Sequence, residues 1–435
     1  MWPKTIWLSV ALLVVIAAAD AEEKKPSSPA FVQLYGAVMV RQDANGKKYG
    51  ANDLEPLLFY NSRFLLKGAT HARFVTALDA FAALSDDEIQ AHTAVQRALL
   101  QRVLWAVFDW SIGKATETER SKHRALQRKV SNLMRRVALS TDAIRALPDT
   151  FAVAAKANRY NAEHDPDAPL KPFFPADLFD PKGSWVCLHP NSRGAFAEMH
   201  GKDVMWRSAF TIFMSLPGGR DATLRYIKQL NEFRTPWTTE RPLDEKLVMP
   251  AAQGSNISIF VHPDTPQFPV GTTFALVRRA LLINTEGKLV ASPLVESIQV
   301  RAHLEVDLRN RRFPPFASAE FHMQPAKLLS GGEADLRPLT RGGENFDLFL
   351  HRNRPDPIEH PKYFRNAPRT GIGNCRSCHR GVGIHSVLSR NRLFLAKTVM
   401  PPVFRSGTTE QSHDLTIGKK TGVASWGLLK GLWGE

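Results

Sequence analysis

The residue pattern with the clearest chemistry lies near the C-terminus, where the chain reads Cys375-Arg376-Ser377-Cys378-His379. Two thiols at this spacing can each add across one vinyl group of a single haem, as in c-type haem attachment. The imidazole of His379 follows at once, where it can ligate the iron from one side. The pattern predicts one covalent haem c, with Cys375 and Cys378 as thioether anchors and His379 as proximal axial ligand.

Two other chemistries use the same residue types. In an oxidising compartment, Cys375 and Cys378 can close a disulfide. Together with His379 and His385 they can instead form a small zinc site, because thiolate and imidazole are usual zinc ligands.

One cysteine, Cys187, is left over once the motif is filled. We expect it to be a buried small apolar residue. Cys187, His189 and His200 are close in sequence, and a thiol beside two imidazoles can be nucleophilic or metal-binding, but their spacing matches no known motif.

At Cys375–His379 the chain resembles a c-type cytochrome. The resemblance implies electron transfer, and it extends to Thr398-Val399-Met400-Pro401-Pro402, which is similar to the Met-Pro loop that supplies a thioether in many such proteins. Met400 is therefore the leading candidate for the distal ligand, and a thioether raises the reduction potential of the iron. His385 is the alternative distal ligand.

Other occupants of the distal side stay open. His351, His360 and His413 are free to reach the iron from elsewhere in the chain. An open or water-filled distal side would instead permit peroxide or small-ligand chemistry.

Basic residues surround the motif. The chain has a net charge of +15, and no acidic residue lies between Glu359 and Glu410. Arginines there can pair with haem propionates, favour the reduced iron, and steer an acidic redox partner or an anionic substrate to this side of the protein. We expect no nucleic-acid partner, since the chain has no recognised binding motif. This basic interval, called the basic island below, carries Lys362, Arg365, Arg369, Arg376, Arg380, Arg390, Arg392, Lys397 and Arg405.

The N-terminus has the pattern of a signal peptide. Lys4 gives a positive start, an apolar stretch runs over 6–19, and Ala19-Asp20-Ala21 fits a small-x-small cleavage site. We expect the mature chain to begin at Glu22, to lack a transmembrane span, and to be soluble in the periplasm or another extracytoplasmic compartment.

The remaining patterns predict an α+β fold. Ser85-Asp86-Asp87-Glu88 is a capping box, and apolar residues from Val95 to Trp110 recur at helical spacing. Later segments alternate as antiparallel strands do, with a hairpin turn at 285–288. The strand candidates are 210–216, 257–261, 273–284, 289–306 and 317–323.

The length of 435 residues and a proline-rich stretch over 161–181 indicate several regions. We predict a signal peptide over 1–21, a mainly helical region over 22–165, an α+β region with an antiparallel sheet over 176–335, and a loop-rich haem-binding segment over 336–435.

Three functions from different classes are compatible with these residues. The first is an exported mono-haem electron-transfer protein. The second is a peroxidase-like haem oxidoreductase with an open iron, and the third is a haem-based sensor or binding protein.

Overall fold

Helices and a seven-stranded antiparallel sheet give the chain an α+β fold, which confirms the predicted class. The computed structural model describes residues 28–43, 45–52, 55, 62–112, 117–169, 171–190, 198–240, 252–253, 258–307, 315–332, 335–339, 358, 379, 381–388 and 404–434. Its helices are α1 Pro29–Met39, α2 Gly68–Ala82, α3 Asp86–Gln90, α4 Ala94–Ser111, α5 Glu117–Arg136, α6 Thr141–Arg145, α7 Thr150–Ala157, α8 Glu198–Asp203, α9 Gly219–Glu232, α10 Pro325–Leu329, α11 Ile384–Leu388, α12 Thr409–Thr421 and α13 Ala424–Trp433.

The helical layer in the first part of the chain is built around α4, which is buried along almost its whole length. The predicted capping box at Ser85 and Glu88 is present, but it begins only the five-residue α3. The long helix begins at a second capping box. There the Thr93 hydroxyl accepts from the Gln96 amide at 3.2 Å, and the Gln96 side chain accepts from the Thr93 amide at 2.9 Å. The structure therefore has two helices, α3 and α4, where the sequence predicts one.

The main sheet has the strand order β11-β10-β9-β8-β4-β3-β12, and every neighbouring pair is antiparallel. The predicted hairpin joins β8 to β9. Two smaller sheets pair β1 with β2, and β5 and β6 with β7. The strands are β1 Arg41–Gln42, β2 Lys48–Tyr49, β3 Val186–Pro190, β4 Ser208–Ser215, β5 Trp237–Thr238, β6 Ala252–Gln253, β7 Ser258–Val261, β8 Thr273–Ile283, β9 Leu289–His303, β10 Phe316–Met323, β11 Leu336–Pro338 and β12 Phe404–Ser406.

Both faces of the main sheet are covered. On one face, strand residues such as Val277 and Val300 pack with Phe151 of α7, and we call it the α7 face. On the other, Met214 and Phe274 pack with α9 and α11, and we call it the α9 face. Side chains alternate between the two faces along β9. Its polar side chains on the α9 face are buried or half-buried, so they do not face open solvent as the alternation predicts.

One segment that precedes the main sheet in the chain and one that follows its central strands complete the fold. Phe173, Phe174 and Leu178, in the proline-rich stretch predicted as a boundary, are buried on the α7 face. Strand β12, from the C-terminal segment, pairs with β3 at the sheet edge.

The C-terminal tail folds back onto the helical layer. Trp426, Leu429 and Trp433 of α13 are buried in the core that contains α4 and α5, and the rings of Trp105 and Trp426 are 6.2 Å apart. Within the described ranges, no helix combines the length and apolar character that a membrane span requires.

Candidate functional site

The predicted proximal ligand His379 has one ring nitrogen fixed by the protein. Its Nδ1 lies 2.8 Å from the backbone carbonyl oxygen of Ser386. A carbonyl oxygen can only accept, so Nδ1 carries the proton. In the neutral ring, Nε2 therefore carries the free lone pair. Nε2 is the nitrogen that a metal ion would bind.

Helix α11 holds Ser386 in place against the α9 face. The Ile384 amide donates to Gln267 Oε1 at 2.9 Å. Ile384 and Leu388 are fully buried in the apolar cluster that includes Phe268 and Phe274. The hydrogen-bond partner of His379 is therefore anchored to the sheet and not to a free loop.

Gly383, at the start of α11, has a positive φ of +54°. A Cβ there would overlap the Gln267 side chain, which accepts the hydrogen bond from the Ile384 amide. We predict that Gly383→Ala lowers the free energy of unfolding by about 2 kcal/mol, from left-handed strain together with displacement of Gln267. Urea unfolding measures the change. The matched control is Gly427→Ala, at an exposed position of α13 with open space around it. Gly427→Ala should raise the free energy of unfolding by about 0.5–1 kcal/mol. Equal effects of the two substitutions would contradict the proposed role of Gly383.

Electrostatics keep His379 neutral. Burial lowers the pKa of His379 well below 6.5, and the nearby charge of Arg301 lowers it further, against the opposing effect of the Ser386 hydrogen bond. Because a metal ligand must be the unprotonated imidazole, this setting keeps His379 ready to bind at neutral pH.

The α9 face carries polar side chains on β8, β9 and β10. The strand register pairs Arg301 with Ser318 and with Phe274, and it pairs His303 with Phe316. Since these positions share a face, the apolar cluster beneath α11 continues directly into a polar area. We call this area the polar stripe, and it consists of Arg278, Gln299, Arg301, His303, Glu320 and His322.

His303 is the most enclosed residue of the stripe. Its side chain is 0% exposed, and neither ring nitrogen has a hydrogen-bond partner in the part of the chain that the structure describes. The rings of Phe268, Phe274 and Phe316 surround it at centroid distances of 4.8, 5.6 and 6.1 Å. Burial lowers the pKa of His303 well below 6.5, and Arg301 lowers it further.

Three other histidines take different positions. His385, the alternative distal ligand, is buried on α11, next to the residue that accepts from His379 Nδ1. His200 on α8 lies beside Phe210 of the α9 face, with ring centroids 6.0 Å apart. His413 on α12 lies near Arg279, whose guanidinium covers Phe179 of the α7 face. The sheet therefore separates His413 from His379.

Cys187 is buried on the α7 face, as expected. Burial raises the pKa of its thiol to about 11, so the thiol stays protonated at neutral pH. His200 lies on the opposite face, so the structure does not bring Cys187 and His200 together.

Cys375, Cys378 and Met400 lie outside the described residues, as do His351 and His360. Within the described ranges there is no group of three His, Cys, Asp or Glu side chains that could hold a metal ion. The predicted haem, disulfide and zinc chemistries of the motif all stay predictions.

A second polar cluster joins the helical layer to the sheet. Arg102 of α4 donates to Glu296 of β9 at 3.0 Å and to Ser208 at 3.0 Å, and Arg278 pairs with Glu55. Arg102, Glu296, Arg278 and Glu55 border a cavity of about 60 Å³. Burial alone would raise the pKa of Glu296, but Arg102 and Arg278 outweigh it and hold that pKa low. The cluster is a buried ion network with room for water.

No family model matches this chain, and no curated protein and no solved structure shows significant similarity to it. Its fold and site define an α+β protein with a group of buried histidines on one face of an antiparallel sheet.

Proposed function

We propose that this chain is an exported protein that binds one haem c covalently and transfers electrons through it. Cys375 and Cys378 would form the thioether bonds, and Nε2 of His379 would bind the iron. The observation that carries the proposal is the hydrogen bond from His379 Nδ1 to the Ser386 carbonyl. Outer partners of this kind fix the tautomer of a ligating histidine and raise its basicity.

Residues of the types that a haem requires lie near His379. A haem is a flat apolar ring with two carboxylates, and the buried apolar cluster of α11 and the α9 face adjoins the polar stripe. Arg301 acts on His379 by its charge and would pair with a propionate. When bound, the haem supplies one-electron oxidation and reduction at its iron.

The chain's own residues would set the properties of that iron. Positive charge from Arg301 and from the basic island favours the reduced state, which has one positive charge less, and so raises the reduction potential. Arg405, exposed on β12, belongs to the same basic island. An acidic redox partner would be steered to this side, and the rate of association should fall with ionic strength.

Export places the chain where covalent haem attachment occurs. Lys4, the apolar stretch over 6–19 and Ala19-Asp20-Ala21 support cleavage before Glu22 and an extracytoplasmic location. N-terminal sequencing of the protein recovered from the periplasm of an expression host tests this part. A mature chain that keeps residues 1–21 would contradict it.

A haem-dependent oxidoreductase is the second candidate. The observation in its favour is that a cationic side chain, Arg301, and a second histidine, His200, both act on His379 from nearby. Groups of these types can move protons and stabilise charge at an open iron. A haem-based sensor would use the same site without turnover.

The experiment that separates these functions uses the full chain expressed with haem-maturation machinery. We expect a pyridine haemochrome typical of two thioether bonds, a six-coordinate low-spin ferric spectrum, and one reversible electron in a redox titration. Absence of covalent haem would contradict the proposal. Rapid peroxide turnover by a high-spin iron would move the function to the oxidoreductase, and reversible CO binding without turnover would move it to the sensor.

A further inference from the structure

The cavity of about 60 Å³ between the helical layer and the main sheet has both an apolar and a charged lining. Helices α1 and α4 contribute Met39, Leu99 and Val103, which belong to the buried apolar core of the helical layer. Strands β8 and β11 contribute Arg278 and Arg337. Protein interiors contain few spaces larger than a water molecule, so a cavity of this size and composition requires an explanation.

The strand register places the charged lining in a row. Arg278 of β8 and His322 of β10 both pair with Ser297 of β9, and His322 also pairs with Arg337 of β11. Directly opposite residues on neighbouring strands share a face of the sheet, so these three side chains lie side by side along the cavity. The His322 ring is hydrogen-bonded to the Glu320 carboxylate at 2.8 Å, outside the lining.

A β-bulge adds Glu296 to the same lining. The register of β8 with β9 shifts between Arg278 and Arg279, which leaves Glu296 without a partner residue on β8. Bulges re-aim a side chain and are frequent beside functional sites. The irregular point of the sheet therefore coincides with the cavity that Glu296 borders.

The arginines and carboxylates of the lining leave one positive charge uncompensated. Arg102, Arg278 and Arg337 line the cavity together with Glu55 and Glu296. Arg102 pairs with Glu296, and Arg278 pairs with Glu55. Arg337 donates to a backbone carbonyl at 2.5 Å, and no carboxylate pairs with it in the part of the chain that the structure describes. The lining therefore favours an anion.

Two of the arginines also have donors without acceptors. The Nε atoms of Arg278 and Arg337 are buried, and neither has a hydrogen-bond partner among the described residues. Buried donors are almost always paired, so we expect an acceptor that these residues do not supply. The cavity of about 60 Å³ corresponds to about four to six water-sized spheres of about 10–15 Å³ each, which sets the size of that group.

We propose that this cavity binds a short-chain carboxylate of about two to four carbons. The carboxylate group accepts from Arg278 and Arg337, because a guanidinium matches a carboxylate in charge and in geometry. The alkyl end packs against Met39, Leu99 and Val103, where it leaves water. The proposal does not depend on the haem, and it gives the chain a second, independent ligand.

Isothermal titration calorimetry of the full chain in a buffer without carboxylates tests the proposal. Acetate, propionate and butyrate should bind at a single class of site, and hexanoate should not bind because it is too long for the cavity. Propionamide, which has the same shape as propionate without its charge, should bind weaker by about tenfold or more. Absence of binding by all three short acids, or equal affinities for propionate and propionamide, would overturn the proposal.

Variants then locate the site. Arg337→Gln should weaken propionate binding by about tenfold or more. The matched control is Arg405→Gln, at an exposed arginine of β12, which should bind propionate as the unmodified chain does. Val103→Ile narrows the cavity without removing a charge, and it should weaken butyrate binding more than acetate binding. Equal affinities of the two arginine variants, or an unchanged preference between butyrate and acetate in Val103→Ile, would show that the acid does not bind in this cavity.

Discussion

Replacing Arg102 by methionine will lower the free energy of unfolding by about 3–5 kcal/mol, because removing one partner leaves the other charge buried. Arg102 and Glu296 are each about 4–5% exposed. Besides Glu296, the guanidinium reaches Ser208 of β4 and the Leu281 carbonyl of β8, so one side chain joins a helix to three strands. Urea unfolding monitored by circular dichroism measures the loss.

Two further variants make this prediction specific. The double variant Arg102→Met/Glu296→Gln should lose about 1–3 kcal/mol less than the sum of the single changes, because the two groups are coupled. Lys129→Met removes an ion pair with Asp79 in which both side chains are about half exposed, and it should cost at most about 1 kcal/mol. Equal losses for Arg102→Met and Lys129→Met would contradict the proposed role of the network.

Acidification from pH 6.5 towards pH 4 will strongly destabilise the chain expressed without haem. Burial lowers the pKa of His385 to about 4, and the pKa of His200 and of His413 also falls to about 4, with help from neighbouring arginines. In the unfolded chain these groups titrate near 6.5. Between the two values the unfolded state binds more protons than the folded state, so stability falls as the pH falls.

The size of this effect is large for one side chain. His385 is 2% exposed, and its shift corresponds to about 3 kcal/mol lost between pH 6.5 and pH 4. Urea unfolding at a series of pH values gives the slope, which should correspond to several protons taken up on unfolding. His385→Gln should reduce the slope by about one proton. A free energy of unfolding that is constant from pH 6.5 to pH 4 would contradict the burial of these histidines.

Regular elements were predictable because local patterns determine them. The recurring apolar residues of α4, the alternation in β9 and the turn between β8 and β9 all appear at the expected places. The sequence alone does not locate the start of α4, because Ser85–Glu88 and Thr93–Gln96 are both capping boxes within one short stretch. The pairing of β12 with β3 joins positions far apart in sequence, and no local pattern marks it.

Local spacing points to the candidate site only at Cys375, Cys378 and His379, where it predicts haem attachment. His303 gives no such signal, because a histidine in an alternating strand has the pattern of a solvent-facing polar residue. Its burial depends on the rings of Phe268, Phe274 and Phe316, which come from other parts of the chain. Contacts that form only in the tertiary fold cannot be predicted from the spacing of residues in the sequence.

The most direct test of the central claim is intact-mass spectrometry of the full chain matured in a host that attaches haem. We predict a mature protein heavier than its polypeptide by one haem, retained under denaturing conditions, with tryptic peptides that place it on Cys375 and Cys378. The double variant Cys375→Ser/Cys378→Ser should carry none, and Cys187→Ser should carry one. A chain that shows only the polypeptide mass, or a disulfide or zinc ion at Cys375 and Cys378, would contradict the claim.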